Sequence, residues 1–241
     1  MPKAEDSPRN HILSKLRKDS LRTLLSHMEL IEFDIREPLY EPNTLIDTAY
    51  FPDSGMISIV CLTADGPSIE AVTVGREGFV GLPLILGATT TPTRAFCQVP
   101  GRCWSLPAAE LLRHVETDPE FSLLLRQYAQ TVFDLMAQST ACNCLHSIEE
   151  RCARWLLITH DRVDTNSFQL TQEFLATMIG VRRSSVNLIA KTLQTAGLID
   201  YKHGKIEILD REGLEQVSCG CYAIVREAFH KTTNSVVSIV R

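Results

Sequence analysis

"LTQEFLATMIGVRRSSVNLIAKTLQTAGLIDYKHGKIEILD", residues 170–210, decides how the chain is read. Two short helices that cross through a tight turn need a small residue where they touch, a glycine for the turn and apolar side chains inside. This stretch supplies each of them: Leu175, Ala176 and Ile179 on the first helix, Gly180 and Val181 at the turn, Val186 and Ile189 on the second. With those inward, Arg182, Arg183, Ser184, Asn187, Leu188 and Lys191 are left outward on the N-terminal half of the second helix. In units of this kind that half enters the major groove of DNA. Arginine forks suit guanine O6/N7, asparagine suits adenine N6/N7, and an outward leucine suits a thymine methyl better than water. "LIDYKHGKIEILD" then reads as strand, turn and strand around His203 and Gly204, a wing that places Lys202 and Lys205 for phosphate.

The surroundings agree with a small basic surface on an otherwise acidic protein. The 241 residues carry a formal net charge of −5, yet residues 171–205 hold five Lys or Arg against two Asp or Glu. Hydrophobic residues are 44% and charged residues 22%, the balance of a globular protein long enough for two modest domains. No apolar run approaches the ~18 residues of a membrane span, and the start "MPKAEDSPRNHILSKLRKDS" lacks the apolar stretch of a secretory signal. A cytoplasmic protein without membrane contact is expected.

Upstream, residues 10–29 read as a short amphipathic helix with Ile12, Leu13, Leu16, Leu24 and Leu25 buried. From residue 30 to about 107, "YFPDSGMISIVCL", "SIEAVTV" and "AFCQVPG" alternate with Gly, Pro, Asp and Asn, the pattern of an all-β roll or sandwich with tight turns. "ADGP" at 64–67 carries a D-G hairpin signal. "PAAELLRHVETDPEFSLLLRQYAQTVFDLMAQSTACNCLH" then reads as a helix, a break at Asp118-Pro119 and a long helix. On the long helix Phe121, Leu125, Tyr128, Val132, Leu135, Ser139 and Cys142 recur at heptad spacing. A helix packed on its own domain gives the same stripe; a self-pairing dimer helix is the preferred reading, although Ser139 is polar. "SIEE" from Ser147 is a capping box. Beyond it "REGLEQVSCGCYAIVREAF" suggests a closing helix with Leu214, Val217, Cys221, Ile224 and Val225 inside.

Eight cysteines are present, two pairs of them as C-x-C at 142–144 and 219–221 rather than the C-x-x-C of zinc knuckles. Residues two apart on a helix point to nearly opposite sides, so burial is the preferred account and no metal or cofactor is expected. A thiol or metal sensor using Cys142, Cys144 and Cys152 is the rival. The sequence offers no nucleophile with its base, no P-loop and no H-E-x-x-H, so no enzyme is expected. A module whose winged helix docks protein instead of DNA is a further alternative.

The order of roll, long helix and winged helix-turn-helix resembles the Crp/Fnr family of bacterial transcription regulators, from about residue 24 to 229. The most specific stretches are "LTQEFLATMIGVRRSSVNLIAKTLQTAGLI" and "GREGFVGLPLILGATTTPTRAF", the second similar to the family's phosphate-binding cassette. The resemblance implies an α+β chain: a cyclic-nucleotide-binding-like β-roll (jelly roll) over 1–113, a dimerisation helix and hinge over 114–146, and a winged helix-turn-helix over 147–241. It implies a homodimer on an inverted repeat in double-stranded DNA, RNA polymerase as a further partner, and a small-molecule effector of unknown identity. Arg183 falls on the first base-reading position. Ser184 stands where many members have glutamate, and Leu188 where arginine is common. Thr171 and Gln172 match positions that meet the phosphate backbone. In the cassette, Gly81 and Leu82 stand where cyclic-AMP-responsive members have Gly-Glu, and Arg94 and Ala95 where they have Arg-Ser. A leucine cannot accept the ribose hydroxyl bonds, an omission of about 1–3 kcal/mol, so cyclic AMP is disfavoured. Arg94 is the remaining phosphate candidate, with a salt-bridged surface arginine as its rival reading. No cysteine precedes Cys61, so the N-terminal iron–sulfur cluster of the oxygen-sensing branch is missing. His114 and His146 are the conceivable haem ligands, more simply explained as structural.

Overall fold

The computed structural model describes residues 7–64 and 68–234. The N-terminal segment is tied down by Asn10, fully buried, whose amide donates to the carbonyls of Pro52 (3.0 Å) and Gly78 (2.8 Å). The expected helix is shorter than read: a 3-10 turn at Leu13–Lys15 and α1 at Lys18–Leu25. Ile12, Leu13, Leu16 and Leu24 are buried, Leu25 half-buried.

The roll follows as β1 (Glu29–Phe33), β2 (Pro38–Tyr40), β3 (Thr48–Pro52), β4 (Met56–Leu62), β5 (Ser68–Val74), the short α2 (Leu82–Ile85), β6 (Thr93–Val99) and β7 (Gly101–Pro107). A three-stranded sheet in the order β1-β7-β3 and a four-stranded sheet in the order β2-β6-β4-β5 form it, every pairing antiparallel. The D-G hairpin signal at Asp65 and Gly66 lies outside the described residues.

After α3 (Ala108–Thr117), Asp118 breaks the chain and caps α4 (Pro119–Leu145), its carboxylate accepting from the amides of Glu120 (3.0 Å) and Phe121 (3.1 Å). The heptad stripe of α4 is largely buried within this chain, its first part against the roll and Cys142 against Cys219. Phe121 and Phe79 both lie against Phe51 (ring centroids 6.2 and 5.2 Å), and Tyr128 lies against Phe79 (5.5 Å). A side chain at Gly78 would collide with the Tyr128 ring. Leu125, Val132, Leu135 and Cys142 are buried in the same chain, and Ser139 is half-buried. The stripe expected to pair two subunits is therefore intramolecular. What α4 leaves open is another stripe: Arg126, Gln130, Phe133, Met136, Ala137, Thr140 and Cys144 are exposed, Phe133 by 61%.

Ser147 caps α5 (Ile148–His160) with the expected reciprocal box: its hydroxyl accepts from the Glu150 amide, and the Glu150 carboxylate from its own. Then come β8 (Ser167–Gln169), α6 (Gln172–Ile179), α7 (Arg183–Thr195), β9 (Ile199–Lys202), β10 (Lys205–Ile208), α8 (Arg211–Val217) and α9 (Cys221–Asn234). The closing helix is thus two helices broken at residues 218–220. Leu214, Cys221 and Val225 are buried and Val217 half-buried, whereas Ile224 is 54% exposed, at the rim of an open groove between α9 and α4. Among the described residues no helix is long and apolar enough to cross a membrane.

The winged-helix half sits directly on the roll. Trp155 of α5 donates its indole N–H to Glu70 of β5 (2.9 Å), Ser58 donates to the same carboxyl (2.8 Å), and Arg162 pairs with Glu77 (2.7 Å) with both side chains largely buried. Phe174 of α6 meets Phe96 of β6 edge-on at 6.0 Å. Burial pushes the Glu70 carboxyl up to about 7, against the pull of its two hydrogen bonds and of Arg162 and Arg154. A raised carboxyl makes the folded chain hold a proton that the unfolded chain releases, so stability falls as pH rises from about 4.5 through about 7. Glu70→Gln keeps the acceptor for Trp155 and removes that charge. Its unfolding free energy, measured in urea at pH 5 and pH 8, should gain on the parent protein at pH 8 only; equal differences at both would contradict a buried, titrating Glu70.

Candidate nucleic-acid interface

Helix α6 begins at Thr171, whose hydroxyl accepts from the Phe174 amide (3.1 Å), and it ends at Gly180 with φ 72°. That left-handed backbone favours glycine, and a second pressure acts there: a Cβ would lie 2.8 Å from Ile69 Cδ1 of β5. Leu175, Ala176, Met178 and Ile179 are buried on α6; Val186, Ala190 and Leu193 on α7. Ile189, expected inside, is half-buried, as is Val181.

The residues expected outward are outward. Arg182, Arg183, Ser184, Asn187, Leu188 and Lys191 are all exposed along α7, Leu188 by 68%. Arg183 has a loose ion pair with Glu173 at 3.9 Å, both side chains mostly in solvent, a pair worth little and readily given up. Thr171 is exposed and Gln172 half-buried at the start of α6. The wing pairs Lys202 with Lys205 in register, leaving His203 (φ 51°) and Gly204 (φ 75°) as a two-residue turn. Positive φ at both central positions is what a type I′ hairpin needs. Lys205 is exposed; Lys202 is exposed too, its ammonium 2.8 Å from Asp200. Tyr201 fastens the wing to the helix pair by donating to the Leu170 carbonyl (2.8 Å).

Two basic side chains join this surface that sequence reading did not find. Arg36, in the turn between β1 and β2, lines one groove with Thr171, Gln172, Arg183 and His203. Nothing in the local sequence announces Arg36, because only the docking of α6 on the roll brings it there. His203 was read as a turn residue alone.

The cassette residues do not converge. Gly81 is buried with φ 134° and Leu82, at the start of α2, packs half-buried against the core. Arg94 and Ala95 are consecutive on β6 and so point to opposite faces. Ala95 is the one inside; Arg94 lies over the Phe96 ring (5.6 Å) and pairs with Glu41 (3.1 Å). The ion pair with Glu41 is the one its rival reading named. The cysteines of the rival sensor reading do not meet either: Cys144 is exposed, and Cys152 is buried in the main core, apart from Cys142. His114 is buried beside His27 (3.4 Å), while His146 lies half-buried beside Cys221.

Comparison with known proteins matches residues 30–118 to the cyclic nucleotide-binding domain and residues 150–217 to the Crp-like helix-turn-helix domain. The chain belongs to the Crp/Fnr family. It is a DNA-binding transcription regulator of that family. No curated protein sequence matches it. Among solved structures, FixK2 from Bradyrhizobium japonicum is 14% identical, covering 80% of this chain and 98% of its own, with a TM-score of 0.69. The regulator CLP of Xanthomonas campestris, described as c-di-GMP responsive, is 16% identical over 80% and 99%, TM-score 0.64. TTHA1359, a Crp/Fnr-family regulator from Thermus thermophilus, is 20% identical over 79% and 98%, TM-score 0.63. At such identities these structures share the fold with this Crp/Fnr protein.

Gly180→Ala should lower the unfolding free energy by about 1–2 kcal/mol from the left-handed backbone alone. A stability unchanged in urea unfolding would mean that the turn relaxes to another conformation.

Proposed function

We propose that this Crp/Fnr regulator binds an inverted repeat as a homodimer, under a signal received by its roll and distinct from cyclic AMP. The observation that carries the reading is the unbroken exposed row on α7, with the wing beside it. Arg183, Ser184 and Asn187 read base edges, Leu188 meets a thymine methyl, and Arg182, Lys191, Lys202 and Lys205 contact or approach phosphate together with Thr171 and Gln172. The N-terminus of α7 adds its own partial positive charge to that end.

Pairing is assigned to the stripe of α4 centred on Phe133 and Met136, since the other stripe is occupied by the roll. Exposed aromatic area on a helix otherwise rich in buried contacts supports this choice, as does the family's habit of dimerising. Against cyclic AMP stand Leu82 in place of the ribose-binding glutamate and the outward direction of Arg94. Arg94 and Phe96 share the face of β6 that meets Phe174, so a ligand or partner at the roll has a short path to the reading helix.

Selection from random duplex DNA with the purified chain, followed by binding at several salt concentrations, tests the reading; half-sites about one turn apart are expected. Arg183→Ala should cost about 1–3 kcal/mol on the best site and relax preference at one base pair. Equal loss on every sequence would reassign Arg183 to phosphate. Phe133→Glu should give a folded monomer in sedimentation, and a dimer unchanged by it would move the interface off α4.

A further inference from the structure

Three cysteines of this chain are buried together and apart from the main core: Cys142 near the end of α4, Cys219 in the break after α8, and Cys221 at the start of α9. Sγ of Cys142 lies 3.4 Å from Sγ of Cys219, and Sγ of Cys221 lies 3.5 Å from Nδ1 of His146. All four donor atoms fall within 4.8 Å of one another. Zinc bound tetrahedrally at about 2.3 Å from sulfur and about 2.0 Å from nitrogen would set its ligands about 3.5–3.8 Å apart. The observed spacings sit around those edges, with small inward movement left to make. A polynuclear iron–sulfur cluster spreads its ligands over several metal ions and so holds them further apart.

The surroundings are those of a ligand set. Cys142 and His146 are four apart at the end of α4, hence on one side of the helix. Gln138, one turn earlier, donates its amide to Cys221 Sγ (3.0 Å), and the Cys221 amide reaches Cys219 Sγ. Hydrogen bonds to sulfur of this kind orient and stabilise bound thiolates. Three thiolates, one imidazole and a dication leave a net charge of −1; the cations of Arg151 and Arg154 on α5 both act on these sulfurs. The other close His/Glu group, His27, Glu110 and His114, has the Arg113 guanidinium lodged against it and no such shell.

We propose that Cys142, His146, Cys219 and Cys221 form a mononuclear tetrahedral site for a divalent metal ion of the zinc type. Each thiol that binds releases its proton to solvent, and no electron changes hands. The ion joins the end of the long helix to the α8–α9 break, on either side of the link at 146–147 where α4 passes to α5. It thereby fixes the winged-helix half to α4 independently of DNA, and its presence is read without DNA.

The test uses the full chain, purified under reducing conditions, stripped with a strong chelator and titrated with Co2+. One Co2+ per chain is expected, with the intense visible bands of a tetrahedral site and a thiolate-to-metal charge-transfer band, both bleached by Zn2+. Cys142→Ser and Cys219→Ser should weaken binding by more than the roughly 10–100-fold that loss of an outer-shell partner costs. Cys144→Ser, two residues away and exposed, should leave it unchanged. The wild-type spectrum decides by itself should a serine variant not fold. A weak octahedral Co2+ spectrum, identical binding in Cys142→Ser and Cys219→Ser, or a Cys142–Cys219 disulfide in protein isolated without oxygen would each overturn the site.

Discussion

The architecture depends on one stripe of the long helix being used inside the subunit. Phe121, Leu125, Tyr128, Val132 and Leu135 close the open side of the roll over Phe51 and Phe79. At about 1.5–3 kcal/mol for each large apolar side chain removed from water, freeing that stripe would cost on the order of 10 kcal/mol, comparable to the whole stability of a domain. That stripe is therefore not free for another contact. The roll and α9 cover two sides of α4, and among the described residues the stripe around Phe133 and Met136 stays exposed. The same burial fixes the direction in which α4 leaves the roll, and with it where the winged-helix half begins.

How much of this was legible in the sequence depended on whether local rules were enough. The helix-turn-helix was legible as a motif, with Ile189 and Val181 less buried than read, because its turn glycine, its interior apolar set and its outward polar row are all short-range constraints, and Gly180 at φ 72° is their direct expression. The capping box at Ser147 and the break at Asp118 are local in the same way. The heptad stripe of α4 correctly named buried residues, but spacing says only that a stripe is covered, not by what. Which faces of β6 Arg94 and Ala95 take was not legible: matching them to cassette positions says nothing of which face a one-residue step selects. The C-G-C at 219–221 was read as if helical, with its two sulfurs opposed. In the fold it straddles a helix start, so both sulfurs face one way. The spacing of Cys142 and His146, four apart on a helix, was the available sign of a shared site.

The contact between the two halves is part apolar and part polar. The apolar core runs through both halves, with Phe96 against Phe174 and Ile69 against the turn at Gly180. The rest is polar and specific: Trp155 to Glu70, Arg162 to Glu77, and Asp164 to both Arg9 and Arg76 at 3.0 Å. A buried ion pair such as Arg162 with Glu77 adds little net stability but penalises arrangements that leave either charge unpaired. Such an interface favours one placement over its neighbours.

The position of the cysteine and histidine cluster fits this division of labour. The winged-helix half is joined to α4 by the chain at 146–147 and by α9, which packs along α4. Cys219 and Cys221 bring a second point of the same half back onto α4, within one turn of that link. Cysteine serves here where leucine would not, because a small side chain lets α9 approach α4 closely while a sulfur can still take a bond.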